Sequence, residues 1–163
     1  MDDLSSLLYR DEGANGGVRV RHLSISEYFV SDHCGDYQVN LQDTHAHLGI
    51  VCLETMVKQL RFNICELEDS RLANADIQDL PARIQSNISD ALQYSSLYWS
   101  GHVCFSPDNR DQRVLGSLKE FLEGVYPLFW IEVLSVMGMV SVGAPSLRRL
   151  ISWIDVSTSP VCH

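Results

Sequence analysis

The segment VYPLFWIEVLSVMGMVSVGA, residues 125–144, places the strongest constraint on what this chain can fold into. It is almost unbroken apolar chain, and its length meets the requirement of about 20 residues for a membrane-spanning helix. Pro127 and Glu132 interrupt it, however, and a carboxylate at mid-bilayer is expensive. Burial among other helices accommodates the same residues at lower cost. The rest of the chain is therefore expected to supply helices that cover this one.

It does so by pattern. In DTHAHLGIVCLETMVKQLRF the apolar residues Leu48, Val51, Cys52, Met56 and Leu60 form a helical stripe, with Thr44 as the expected N-cap. ELEDSRLANADIQDLPAR is polar and acidic, and Pro81 suits the first turn of a following helix. That helix is expected to continue through IQSNISDALQYSSLYWSGHV, aligning Ile84, Ile88, Leu92, Ser95 and Trp99. SPDNRDQ reads as a loop. VLGSLKEFLEGV and PLFWIEVLSVMGMV read as two helices broken at Gly124–Pro127, and GAPSLRRLISWID as a last helix with Pro145 at or just before its start. VSTSPVCH is expected to fray.

The N-terminal part has a different grammar. LSSLLYRDEGANGGVRVRHL gives two short β-competent runs around a turn rich in Asp, Gly and Asn, which predicts a β-hairpin. Val18, Val20 and His22 fall on one face of its second strand, with Arg19 and Arg21 on the other. Ser24 and Glu27 have capping-box spacing, so a short helix is expected from about Ser24 through Tyr28, Phe29 and Val30. Gly35 is available for a left-handed cap after it. The predicted fold is mainly α: an N-terminal β-hairpin followed by about six helices in a bundle or short α-solenoid. Residues 1–35 form the hairpin and short helix, 36–155 a helical domain, and 156–163 a flexible tail. A chain of 163 residues suffices for such a core without covalent staples.

Charge and motif content narrow the function classes. The formal net charge of -9, with Lys58 and Lys119 the two lysines, argues against binding nucleic acid or an anionic membrane. Five cysteines at 34, 52, 65, 104 and 162 contain no CxxC spacing, which reads as reduced thiols, and the acidic opening MDDLSSLLY carries no secretory pattern. A cytoplasmic location is expected. Neither lysine lies in a phosphate-binding loop, and no G-x-S-x-G is present. His45 and His47 are two apart, hence on different helix faces, and His33–Cys34, His102 with Cys104, and Cys162–His163 match no zinc spacing. No metal site is expected. Tyr94, Tyr98, Trp99, Trp130 and Trp153 read as interhelical core rather than a stacking platform. A histidine on an apolar strand face, His22, is most often a satisfied core residue.

The company of His22 supports another reading. VRVRHLSISEYFV resembles the winged-helix histidine motif of NACHT-type signal-transduction NTPases of the STAND class. The matching residues are His22, Ser24, Glu27, Tyr28 and Phe29, whereas Ile25 stands where that family prefers Phe. DTHAHLGIVCLETM, NICEL, ALQYSSLYWSGHV and FLEGVYPLFWIEVLSVMGMVS are similar, in chain order, to the segments after the winged helix in fungal NACHT proteins related to heterokaryon-incompatibility factors. Together these cover most of residues 4–154.

This resemblance implies that residues 1–35 are the end of a winged-helix domain. It also implies that His22 donates a hydrogen bond to the β-phosphate of ADP held by a nucleotide-binding domain, closing a resting state. Such a charge-assisted bond is worth about 1.5–3 kcal/mol, which biases a two-state equilibrium by about one to two decades. The P-loop and the magnesium-binding acidic run of that family have no counterpart here. The expectation is a non-catalytic regulatory module, a C-terminal piece or short relative of the family's regulatory half. Its partners are nucleotide-binding and sensor domains, in cis or in trans, and ADP or ATP is bound only in that context. The alternatives are an independent helical scaffold without a nucleotide role, and a cysteine- or metal-dependent hydrolase.

Overall fold

The computed structural model describes residues 8–10, 18–69, 71–105 and 111–158. The fold is mainly α, with seven α-helices and one two-stranded antiparallel hairpin among the described residues. Two compact units divide the chain, residues 1–44 and 45–163. Their boundary lies nine residues beyond the division at 35/36 read from the sequence.

In the first unit, β1 (Leu8–Arg10) pairs antiparallel with β2 (Val18–Val20), Leu8 opposite Val20 and Tyr9 opposite Arg19. The expected Asp-, Gly- and Asn-rich turn lies outside the described residues. Helix α1 covers Leu23–Val30, so it starts earlier than the Ser24–Glu27 spacing suggests. Its N-cap is His22, held extended at φ -131° and ψ 135°, and the His22 carbonyl accepts from the Ile25 N–H at 3.1 Å. The strand turns directly into the helix, and Ser24 and Glu27 are drawn inside it. The strand face read as apolar is not covered: Val20 and His22 are both exposed. A 3-10 segment, Asp32–Tyr37, follows, with Gly35 at φ 58° and ψ -129° allowing its kink.

Helix α2 (Leu41–Gln59) begins before Thr44. The Asn40 side chain accepts from the Gln42 and Asp43 N–H groups at 3.0 and 3.3 Å, which satisfies the first-turn donors. Thr44 instead donates its hydroxyl to the Asn40 carbonyl at 2.7 Å. The buried face carries Ala46, Gly49, Cys52, Leu53 and Met56, while Val51 is exposed. Gly49 is needed for close approach: a Cβ there would stand 3.0 Å from Val103 Cγ2 and 3.2 Å from its backbone nitrogen.

The expected long helix after Pro81 is two helices, α3 (Leu80–Asn87) and α4 (Asp90–Phe105). Ser89 makes the break, since its hydroxyl oxygen accepts from the Leu92 N–H at 3.1 Å and its O–H donates to Gln59 Oε1 at 2.7 Å. Asp111 then caps α5 (Gln112–Glu123) by accepting from the Arg113 N–H. Gly124 separates α5 from α6 (Tyr126–Val136), and a Cβ there would meet the Tyr126 ring at 2.6 Å. After Gly138, at φ 70°, a 3-10 turn over Val140–Val142 leads into α7 (Gly143–Thr158). Residues 156–158, read as tail, belong to this helix, and 159–163 lie outside the described residues.

The apolar segment 125–144 is thus α6, a turn and the start of α7. Among the described residues no helix is long and apolar enough to cross a membrane. Trp130, Val133, Leu134 and Val136 are buried. Trp99, Phe121 and Trp130 form an aromatic centre, with Trp99 edge-on to Trp130 at 5.7 Å between centroids. The Trp130 Nε1–H donates to the Ser96 carbonyl at 2.8 Å, so its polar edge is satisfied inside the core. Glu132 turns out of the same helix and accepts from the Asn63 and Ile64 N–H groups at 3.2 and 3.0 Å.

Candidate functional site

The structure sets His22 at the junction of β2 and α1, with its ring exposed and making no capping bond to the helix. It is not a core histidine. The first N–H groups of a helix carry partial positive charge, which favours an anion beside them. Exposed Arg19 and Arg21 lie just before it, and the Arg21 guanidinium sits over the Tyr9 ring at 5.7 Å. Helix α1 itself is strongly apolar yet has no buried residue. Leu23 is 74% exposed, and Tyr28, Phe29 and Val30 are also open to solvent. The local chemistry of this junction is an imidazole and a helix N-terminus facing outward beside uncovered apolar side chains.

A second cluster, in the 45–163 unit, was not legible from histidine spacing. His45 on α2 and His102 on α4 approach with their Nδ1 atoms 2.8 Å apart. The other nitrogen of His102, Nε2, is 2.7 Å from the Tyr94 hydroxyl. The His45 ring also packs on Phe105, with 4.0 Å between centroids. Burial, and then the neighbouring His45, holds His102 below the ordinary imidazole value. Burial raises Tyr94, with smaller contributions from Cys52 and Tyr98. The expectation that the aromatics of this region are all core is therefore corrected: Trp99 and Trp130 are buried and Trp153 is half-buried, but Tyr94 and Tyr98 are exposed. The available signal was Tyr94 and His102 two turns apart on one helix. Their meeting with His45 is a tertiary contact.

Three of the thiols, Cys52, Cys65 and Cys104, sit in surroundings that suppress reactivity. Cys34, Cys52 and Cys65 are buried, and Cys104 is half-buried, all as free thiols. Burial pushes up Cys52 and Cys65, the latter helped by Glu132, and carries Cys104 to about 11. A thiol raised in this way is mostly protonated at neutral pH, the opposite of an activated nucleophile. Among the described residues no group of three or more His, Cys, Asp or Glu is placed to hold a metal ion. Cys162 and His163 lie outside the described residues. No protein-family model matches the chain, and no curated protein or solved structure is significantly similar to it.

Proposed function

We propose that the chain is a cytoplasmic, non-catalytic regulatory module resembling the winged-helix and helical-domain portion of a NACHT-type STAND NTPase. In this reading His22 contacts the β-phosphate of ADP supplied by a separate nucleotide-binding domain. The observation that carries it is the outward-facing His22 ring at the N-terminus of α1, a helix that is apolar yet has no buried residue. An imidazole and a helix N-terminus both favour a phosphate oxygen, and Arg19 and Arg21 add positive charge nearby. The apolar side of α1 is what a partner domain would cover when the phosphate is engaged. The raised thiols favour this reading over a cysteine hydrolase.

One contact of this kind is weak without the rest of a nucleotide site. Titrating the intact chain with ADP should therefore give binding no tighter than millimolar. In an amide NMR spectrum the shifts should be confined to residues around 22–25 and vanish in His22→Ala, with the remaining spectrum unchanged. Micromolar binding, no shift at millimolar ADP, or shifts that persist in His22→Ala would each refute the assignment. A stand-alone scaffold is the second reading, favoured by one observation: the hydrophobic core cluster lies wholly within residues 45–163.

A further inference from the structure

We propose that Tyr94, His102 and His45 form a proton-operated clasp, which ties the first turns of α2 to the C-terminal half of α4 and opens under mild acid. This inference is independent of the phosphate role of His22. It stands on the continuous run of polar atoms from the Tyr94 hydroxyl through both nitrogens of His102 to His45 Nδ1, at 2.7 and 2.8 Å.

Counting protons along that run gives the switch. With both rings neutral, Tyr94 donates to His102 Nε2 and the His102 Nδ1–H donates to His45, or the whole direction reverses. Either way every site is matched. A first added proton is also accommodated: as a cation, His45 donates through Nδ1 to His102, whose Nε2–H then donates to the Tyr94 oxygen. The positive ring lies against Phe105, a favourable placement for a cation. A second proton is different in kind. Both Nδ1 atoms then carry hydrogen, no acceptor remains between them, and two cations face each other across 2.8 Å.

Among the described residues, His45 is the charged group that acts on His102, and no carboxylate does. From α2 come Cys52 and, on another face, His47, and from α4 come Tyr94 and Tyr98. Cys52 and Tyr94 are raised by burial and stay neutral in mild acid. From α7, Arg149 approaches Gly101 and acts on the Cys104 thiol, so it brings no negative charge to the pair. The direction of the pH effect follows. His102 is held below its unfolded value, so below about pH 6.5 the unfolded chain binds more protons than the folded one. The stabilisation is complete above that value and is lost as pH falls.

The test uses the intact chain. Histidine ring signals and amide hydrogen exchange are followed from about pH 8 to pH 5, with exchange corrected for its intrinsic pH dependence. The expected result is that the signals of His45 and His102 change together and the second proton enters below the ordinary imidazole value, within this window. Exchange in residues 45–52 should accelerate about tenfold as it does so. In His102→Gln, whose amide has no proton to gain, the acceleration should be absent. Independent titration of the two rings, or the same acceleration in His102→Gln, overturns the proposal. If that variant fails to fold, His45→Gln makes the same comparison, and the wild-type titration decides without either.

Discussion

Helices α1 and α6 are both rich in apolar side chains, yet they treat them in opposite ways. In α6, Trp130, Val133, Leu134 and Val136 are buried. In α1 no residue is buried, and Leu23, Tyr28, Phe29 and Val30 face solvent. The difference is one of neighbours rather than composition. Among the described residues, 45–163 hold five helices and most of α2, and Trp99, Phe121 and Trp130 pack together from α4, α5 and α6. Residues 1–44 provide a three-residue strand pair, one helix of 8 residues and a 3-10 segment, with Cys34 as their buried apolar residue among those described. A short hairpin and one helix cannot enclose a core of their own. The second unit meets its own demand for burial, whereas the first carries surface suited to being covered by something else.

The largest effect that would sharpen this contrast is expected at Trp130. Replacing it with Ala removes the ring packed against Trp99 and Phe121 and the bond to the Ser96 carbonyl. The surrounding helices close such a hole only in part, so Trp130→Ala should cost about 3–5 kcal/mol in denaturant unfolding. A loss under about 1 kcal/mol would mean that the second unit does not depend on this centre, and the contrast would fail.

A smaller effect is expected at Glu132, on the same helix. Its carboxylate holds the N–H groups of Asn63 and Ile64, in a turn where Asn63 has φ 48°. Glu132→Ala leaves both donors without their acceptor and should cost about 1–3 kcal/mol by the same measurement. Glu132→Gln, which keeps one accepting oxygen, should recover part of the loss. Equal losses in the two variants would show that charge rather than hydrogen bonding holds the turn.

Glu132 also shows how much the sequence reveals. Read along the chain, it is an interruption of an apolar run. Its partners stand almost seventy residues earlier, and no local pattern connects them. Features set by local geometry were legible: the hairpin, the break at Gly124, Pro81 in a first turn, and the mainly helical fold, whereas α7 starts at Gly143, two residues before Pro145. Helix boundaries were less so, because competing caps lie close together. Asn40 displaces Thr44, Ser89 divides one expected helix, and His22 takes the N-cap from Ser24. At the sites the same division holds. The strand-to-helix change at His22 is local and was seen, whereas His45 meeting His102 requires α2 to lie against α4 and was not.

The smallest effect bears on the other half of the contrast. Leu23 is the most exposed apolar residue of α1, at 74%, directly after His22. Removing it takes little apolar surface out of contact, and Ala is the better helix former. Leu23→Ala should therefore change the unfolding free energy by less than about 0.5 kcal/mol. A cost approaching that of Trp130→Ala would show that α1 is packed in solution, and its apolar face would then need no partner. An unchanged stability keeps the face available, and the same substitution should then weaken any domain found to cover it. Stability and association would respond to different residues of one chain, as expected if one unit supplies the fold and the other the contact.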